Sequence, residues 1–200
     1  MGHLDEYRVE DLPGADVLYI PDFIPKETAS EWYQALEQSC TWYHPKLKVY
    51  GKEVSQSRSI AAYATDPSIT VKYSGHTVNM IYTYPAILQS IQEAVEERLG
   101  VKFNHVMLNR YENGMEYIGR HRDTKENRVI ASLSLGAVRT FIFTPTKNAG
   151  ESASLKKIPL LNGSLLVMKG DTQKLWRHEI PKEPKILDGR ISLTFRQLDL

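Results

Sequence analysis

The second half of the chain is a series of short segments with the periodicity of β-strands, and this feature constrains the fold most. Each segment is apolar or alternates between apolar and polar residues, and turn residues bound it. The segments are Val106–Tyr111, Val129–Leu135, Thr140–Phe143, Gly163–Met168 and Arg190–Arg196. Strands that follow helices predict an α+β fold, and a double-sheet jelly roll with N-terminal helices is the natural candidate.

The first half of the chain predicts one short strand, over residues 16–23, and two helices, over residues 25–40 and 85–99. Each helix has apolar residues at helical spacing, and Gly100 is suited to end the second one. The mixed charges of residues 92–98 indicate a solvated helix face.

Residues 41–84 are broken by Gly and Pro and are rich in Tyr, so we expect mostly loops there. Residues 1–15 are polar and acidic, and we expect them to be flexible. The chain contains no internal repeat and no linker, so we predict one domain over residues 1–200, with the jelly roll over residues 103–200.

Composition limits the location and the partners of the protein. The 25 Lys and Arg against 24 Asp and Glu give a net charge of +1, so overall charge does not indicate a polyanionic partner. The single cysteine, Cys40, cannot form an internal disulfide. The sequence shows neither the roughly 18 apolar residues of a membrane span nor the apolar core of a signal peptide. We therefore expect a soluble intracellular protein.

His121 and Asp123 form a His-x-Asp pair, in which two side chains of an extended segment face the same way. With His178 they supply two imidazoles and one carboxylate, the set that holds iron(II) and leaves positions open for O₂ and a cosubstrate. A His-x-Asp pair by itself is more often a surface or hydrogen-bonded strand pair. The metal hypothesis therefore needs support from elsewhere in the chain.

The last strand segment supplies that support. Its polar face consists of Arg190, Ser192, Thr194 and Arg196, and its apolar face of Ile191, Leu193 and Phe195. Two arginines that point into a barrel are costly unless an anion meets them, and a guanidinium matches a carboxylate in shape. A dicarboxylate ligand meets that need, and salt bridges to Asp or Glu elsewhere are the alternative. Asn109 and Tyr111 share one face of their own strand in the same way.

In this order and spacing the motifs resemble the AlkB family of iron(II)- and 2-oxoglutarate-dependent dioxygenases. The likeness rests on Asn109-Arg110-Tyr111, His121-x-Asp123, His178 and Arg190-x-Ser-x-Thr-Phe-Arg196, and it extends from about Val17 to Leu198. It implies a double-stranded β-helix with a nucleotide-recognition lid, which we expect over residues 41–84. It also implies an enzyme that uses O₂ and 2-oxoglutarate, supported by ascorbate, to oxidise a methyl group on a nucleobase nitrogen and release formaldehyde.

The resemblance assigns roles to the motif residues. His121, Asp123 and His178 would bind iron. Arg190, assisted by Tyr111, would bind the far carboxylate of 2-oxoglutarate. The remaining cosubstrate residues would be Asn109 and Arg196 at the keto-acid end and Ser192, which stands where the family usually has Asn.

The resemblance also indicates a substrate surface. Val49-Tyr50-Gly51-Lys52 resembles the hydrophobic finger with which the homologue that repairs double-stranded DNA fills the gap left by a flipped base. Arg58, Val71 and Tyr73 match the lid of that homologue, in which the aromatic residue stacks on the base. Beside the metal motif, Arg122 and Glu126 complete the expected substrate-binding set.

Two departures from the family affect the expected substrate. Thr124 and Lys125 stand where the repair branch has acidic residues, and acid appears first at Glu126. The loop over residues 147–157 is short, which predicts fewer phosphate contacts and weaker duplex binding. We expect alkylated DNA, with 1-methyladenine and 3-methylcytosine as typical lesions, as the substrate of a monomeric enzyme in the nucleus or cytoplasm.

Three alternatives remain beside this expectation. The same chemistry could act on RNA, or on a protein side chain or small molecule. A jelly-roll binding module without catalysis is the third, although the intact triad and both arginines count against it. His44 and His105 lack ligand-like spacing to another candidate, and we expect them at the surface or in caps.

Overall fold

The computed structural model describes residues 4–49, 52–73, 76–123 and 128–198. Its helices are α1 (Lys26–Ser39), α2 (Ala86–Leu99) and the single turn α3 (Thr172–Leu175), and a 3-10 turn covers Asp5–Tyr7. Its strands are β1 (Asp16–Ile20), β2 (Lys46–Val49), β3 (Lys52–Ser55), β4 (Ser59–Ala64), β5 (Lys72–Tyr73), β6 (His76–Thr77), β7 (Met80–Ile81), β8 (His105–Tyr111), β9 (Ile118–His121), β10 (Val129–Gly136), β11 (Arg139–Pro145), β12 (Lys156–Leu160), β13 (Ser164–Lys169), β14 (Trp176–Ile180) and β15 (Arg190–Arg196).

The two long helices begin and end where the sequence predicts. Pro25 and Pro85 directly precede them, because proline suits the start of a helix, where its missing N–H costs nothing. Gly100 ends α2 with a φ of 65°, in the left-handed region that glycine adopts readily. Among the described residues, no helix is long and apolar enough to cross a membrane.

Two sheets form the body of the protein. The larger has seven strands in the order β1-β13-β10-β15-β8-β4-β7, and the smaller has four in the order β12-β11-β14-β9. β2 pairs with β3, and β5 with β6, as separate two-stranded units. The two sheets are antiparallel except where β4 pairs with β7, and both long helices precede the jelly-roll strands, which confirms the predicted α+β double-stranded β-helix.

Alternation along β15 decides what lies on each side of the larger sheet. Ile191, Leu193 and Phe195 are fully buried and join one hydrophobic cluster with residues of α1 and α2. The polar residues of β15 point to the opposite side, into the space between the two sheets. The helices therefore cover the apolar face of the larger sheet, and the interior of the jelly roll receives the arginines, as the alternation predicts.

The prediction of loops over residues 41–84 is wrong for β4. All six residues of this strand are buried, and it pairs with β8 in the larger sheet. Its sequence, with three alanines, has weak strand propensity, so the pairing rather than the local sequence determines it. Residues 59–64 consequently belong to the core sheet and not to a lid.

The N-terminal segment is packed where the structure describes it. Leu12 is buried, Arg8 forms a β-bridge with Leu18, and the backbone N–H of Val9 donates to the carbonyl oxygen of Val17 at 2.9 Å. The described part of residues 1–15 is thus packed against β1, whereas the sequence analysis expected it to be flexible. The packing arises because the segment extends the edge of the larger sheet.

The solvated face expected on α2 holds for Glu93, Glu97 and Arg98, which are exposed, but it is wrong for Gln92 and Glu96, which are buried. Glu96 Oε1 accepts hydrogen bonds from the backbone N–H of Phe103 at 2.9 Å and from Gln92 Nε2 at 3.0 Å. Gln92 Nε2 also donates to the carbonyl oxygen of Phe103 at 2.9 Å. This network fastens the end of α2 to the segment that leads into β8.

We expect Glu96→Ala to lower the free energy of unfolding by about 2 kcal/mol, because it leaves buried donors without an acceptor. Glu97→Ala, at an exposed position of the same helix, is the control and should change it by less than about 0.5 kcal/mol. Urea denaturation of both variants measures the difference, and equal stability of the two would contradict the role given to Glu96.

Candidate metal and cosubstrate site

A pocket lies between the two sheets and gathers most of the side chains that the sequence indicates. Those that line it and were expected to bind metal or cosubstrate are Asn109, Tyr111, His121, Asp123, His178, Arg190, Ser192 and Arg196. Its walls also include apolar side chains from both sheets, among them Met107, Phe141 and Met168. All eight expected metal and cosubstrate residues therefore meet in one cavity.

The His-x-Asp pair and the later histidine are brought together by the pairing of β14 with β9. His178 is the register partner of His121, and their ring centroids are 4.4 Å apart. Asp123 Oδ2 lies 3.6 Å from His178 Nε2. His121 Nδ1 lies 2.8 Å from the carbonyl oxygen of Gly119 and can donate a hydrogen bond to it, which leaves His121 Nε2 as the nitrogen with a free lone pair.

The three side chains are in the protonation states that a metal requires. Burial lowers the pKa of His178 to about 3, and the neighbouring His121 lowers it too, so the ring is neutral at neutral pH. Burial also lowers the pKa of His121. Burial acts to raise the pKa of Asp123, but Arg196 and the two histidines together outweigh it and lower this pKa to about 2. Neutral imidazoles and a carboxylate are the forms that coordinate a metal ion.

An ion pair occupies the carboxylate of Asp123. Arg196 Nη2 donates to Asp123 Oδ1 at 2.6 Å. Among the described residues, no three His, Cys, Asp or Glu side chains already stand together as a formed metal site. Ligand atoms about 2.1 Å from one ion lie about 3 Å apart when they are at right angles. The 3.6 Å spacing of Asp123 and His178 therefore needs only a small side-chain adjustment to close on an ion.

The other end of the pocket contains a buried cation with free donors. Arg190 is 1% exposed, and its Nη2 donates to Ser134 Oγ at 2.9 Å. Its Nε and Nη1 have no hydrogen-bond partner among the described residues. Burial lowers the pKa of Arg190 to about 10, so the group is still charged at neutral pH. Two free donors on a buried charge fit a ligand carboxylate.

No acidic side chain neutralises Arg190 directly in the described part of the chain. The nearby Glu183 instead forms an ion pair with Arg139, whose Nε is 2.9 Å from Glu183 Oε2. The ring of Tyr111 is close to both arginines, with the guanidinium carbons of Arg139 and Arg190 5.4 Å and 5.3 Å from its centroid. The alternative of internal salt bridges thus holds for Arg196, which pairs with Asp123, but not for Arg190.

Two neutral polar residues, Asn109 and Ser192, and a third arginine, Arg58, also line the pocket. Asn109 and Ser192 are register partners on β8 and β15, so they face the pocket side by side. Asn109 is held by Arg58, whose Nε donates to Asn109 Oδ1 at 2.7 Å. Arg58 itself is 4% exposed and lines the pocket, where this hydrogen bond orients the amide of Asn109.

The expected substrate residues are only partly within the described structure. Arg58, Val71 and Arg122 line the pocket, and Arg122 is exposed at its mouth. The backbones of Val49 and Tyr73 lie at the ends of β2 and β5, but their side chains are outside the described structure, as are Tyr50, Gly51 and Glu126. β2 pairs with β3 so that Val49 faces Lys52 across the hairpin.

His105 is a pocket residue that the sequence reasoning missed. It is completely buried and lines the pocket, and neither ring nitrogen has a hydrogen-bond partner among the described residues. The expectation of a surface or capping position is therefore wrong. Alternation along β8 places it on the face of Met107 and Asn109, and that period-two signal was present in the sequence.

Comparison with known proteins agrees with this geometry. The sequence profile of the 2OG-Fe(II) oxygenase superfamily matches residues 16–196. Over 184 residues the chain is 35% identical to the human DNA oxidative demethylase ALKBH2, with 86% of this chain and 70% of that protein covered. It is 31% identical to the DNA oxidative demethylase ALKBH2 of Arabidopsis thaliana, over 92% of this chain and 66% of that one.

Two further proteins resemble the chain, one in sequence and one in fold. The chain is 33% identical to human alpha-ketoglutarate-dependent dioxygenase alkB homolog 3, over 90% of this chain and 65% of that protein. A prolyl hydroxylase from Trichoplax adhaerens, solved with a peptide of hypoxia inducible factor, superposes with a TM-score of 0.61 over 92% of this chain and 83% of its own. At 16% identity this match shows the fold alone.

We expect His178→Ala to abolish specific binding of a divalent metal, because it removes one of three convergent ligands. His44→Ala is the control, since His44 lies outside the pocket. Calorimetric titration with Mn²⁺ measures binding without turnover. Tight binding by His178→Ala at the level of the wild type would show that the metal is held elsewhere.

We expect Arg190→Met to weaken 2-oxoglutarate binding roughly 30-fold or more, because a bidentate charge pair contributes about 2 kcal/mol or more. The same change should leave the melting temperature of the ligand-free protein unchanged or raise it, because it removes a buried charge without a counter-ion. Thermal melting with and without 2-oxoglutarate measures both effects. A variant that melts lower and still binds the cosubstrate normally would make Arg190 a structural residue.

Proposed function

Because the chain belongs to the 2OG-Fe(II) oxygenase superfamily, we propose that it oxidatively demethylates alkylated DNA bases such as 1-methyladenine and 3-methylcytosine. One observation supports this most: two neutral histidines, an ionised aspartate and a buried arginine with free donors share one pocket. The identity of the target as DNA is supported by the likeness to proteins named DNA oxidative demethylases.

The triad residues fit iron(II). His121 and His178 would each bind through Nε2, and Asp123 would add a carboxylate oxygen. Phe141 stacks on the His178 ring at 5.1 Å with an angle of 15° between the planes, which fixes the orientation of that ring. Iron(II) with 2-oxoglutarate supplies the activation of O₂ that oxidises an unreactive methyl group.

The arginines of β15 would orient the cosubstrate. Arg190 offers Nε and Nη1 to the far carboxylate, and the Tyr111 ring beside it limits how the guanidinium turns. Arg196 pairs with Asp123 and would lie at the keto-acid end with Asn109. Ser192 has a shorter side chain than the Asn that the family usually has at this position, and it would contribute a hydroxyl group beside Asn109.

The surroundings of the triad would exclude water from the reacting methyl group. Apolar side chains of the smaller sheet, including Ile118, Phe141 and Ile180, line the pocket beside the histidines. A dry pocket strengthens the interactions of charged groups and protects a reactive intermediate from side reactions. The protein would thus position the methyl group and shield it.

The substrate would enter at the mouth of the pocket, where Val71, Lys72 and Arg122 lie. A base must leave the helical stack to reach a pocket of this kind. We propose DNA as the substrate with RNA as the alternative, a monomeric enzyme, and a nuclear or cytoplasmic location, which a DNA substrate fits.

The test is formaldehyde release from an oligonucleotide with one 1-methyladenine, incubated with iron(II), 2-oxoglutarate and ascorbate. We expect one formaldehyde for each methyl group removed, and none from the unmethylated oligonucleotide. His121→Ala should be inactive, because it removes a metal ligand. Comparing single-stranded DNA, duplex DNA and RNA of the same sequence identifies the substrate.

Two results would refute the proposal. An active His121→Ala would remove the metal assignment. Succinate formation that no nucleic acid stimulates would favour a hydroxylase with a protein or small-molecule substrate.

A further inference from the structure

Three arginines are exposed on or beside the strands that bear the two histidines of the site. Arg120 is on β9, Arg122 follows it at the mouth of the pocket, and Arg177 is on β14. We refer to Arg120, Arg122 and Arg177 as the arginine face. None of the three has an ion pair or a side-chain hydrogen bond to the described part of the chain.

Strand pairing explains why these side chains lie together. His178 and His121 are register partners, so Arg177, one residue before His178, lies beside the segment that carries Arg120 and Arg122. Neighbouring strands are about 5 Å apart. Along β14, Trp176 and His178 are buried whereas Arg177 between them is exposed. Arg177 and Arg120 consequently project from the outer side of the smaller sheet, opposite the pocket.

The charge of this face is not balanced locally. Glu179 is the acidic residue on the same side of β14, and no ion pair joins it to an arginine in the described structure. Elsewhere on the described surface, Arg8 pairs with Asp5 and Asp16, and Arg110 with Glu37 and Glu112. Arg98 and Arg128 are exposed single arginines, whereas Arg120, Arg122 and Arg177 lie on or beside adjacent paired strands. Like charges on adjacent strands repel each other, so unpaired arginines at this location favour an anionic partner.

A polyanion fits this face better than a small anion does. The arginine face is exposed and open, and it extends from the pocket mouth at Arg122 to the outer surface at Arg177. A phosphodiester strand presents charges at regular intervals and is bound through exposed cations without a cavity. A small anion would need a concave site with buried donors, which these exposed side chains do not form.

We propose that the arginine face binds the phosphate backbone of the nucleic-acid strand that carries the target base. The backbone leaves the pocket mouth at Arg122 and continues across the smaller sheet over Arg120 and Arg177. This inference rests on the proposed function for the position of the base, but the backbone contact itself needs no methyl group and no turnover.

The test measures how binding of DNA depends on salt. The probe is a fluorescein-labelled, unmethylated single-stranded oligonucleotide, and anisotropy gives its affinity for the full chain between low and moderate NaCl. The variant is Arg120→Gln/Arg177→Gln. The slope of log affinity against log salt should become shallower by about 0.7 for each phosphate that the variant no longer neutralises, and binding should weaken for every sequence tested.

Two matched variants distinguish a specific surface from general charge. Lys26→Gln/Arg98→Gln removes two positive charges from exposed positions on α1 and α2, which cover the opposite side of the larger sheet. It should keep the wild-type slope. Arg120→Lys/Arg177→Lys retains the charge and should restore most of the slope. Thermal melting confirms that all variants are folded.

Two results would overturn the inference: an unchanged slope in Arg120→Gln/Arg177→Gln, or an equal loss of slope in Lys26→Gln/Arg98→Gln. Either would make the arginine face an ordinary solvated surface. If the slope falls as expected but methylated DNA releases no formaldehyde, the backbone surface stands and the proposed reaction fails. If formaldehyde is released and the slope does not change, the reaction stands and this surface is wrong.

Discussion

The positive charge of Arg190 in the interior of the jelly roll is the constraint on which the rest of the site depends. Removing a guanidinium from water costs several kcal/mol unless a counter-ion and hydrogen bonds replace the solvent. Here Ser134 accepts one hydrogen bond and the Tyr111 ring faces the cation, but Glu183 is engaged by Arg139. The fold therefore retains an unsatisfied cation, and a carboxylate ligand that satisfies it also stabilises the folded chain by mass action.

The end of the pocket with the candidate metal ligands contains a buried negative charge, whereas the end with Arg190 contains a buried positive one. Asp123 is a nearly buried carboxylate, and Arg196 keeps it ionised through a 2.6 Å ion pair. The two histidines are buried enough to stay neutral, so their lone pairs are available. β15 thus contributes a cation at each end of the pocket. Arg190 has free donors for a ligand carboxylate, whereas Arg196 keeps the carboxylate of Asp123 ionised, the form that binds a metal ion.

The sequence predicted the parts of the fold that local pattern determines. The alternation of Arg190–Arg196 was sufficient to assign both faces of β15, and helical spacing with Gly100 located α2. β4 was missed because its alanines carry little strand signal, and its pairing partner β8 is distant in sequence. The burial of Glu96 was missed because it depends on the backbone of Phe103, which only the tertiary structure brings close. His105 was missed because metal-ligand spacing does not single it out, whereas the alternation of its strand does.

The pairing of β14 with β9 connects the inside of the site with its outer surface. Since successive side chains of a strand point to opposite faces, the register that turns His178 toward the pocket also turns Arg177 away from it. A slip of one residue would exchange the two, placing a guanidinium where a neutral imidazole is needed. The hydrophobic neighbours Trp176 and Ile180 oppose such a slip, because both are buried on the side of His178. The packing that fixes the candidate metal ligands therefore also fixes the positions of the outer arginines, so a strand of nucleic acid bound over them would have a constant register relative to the pocket.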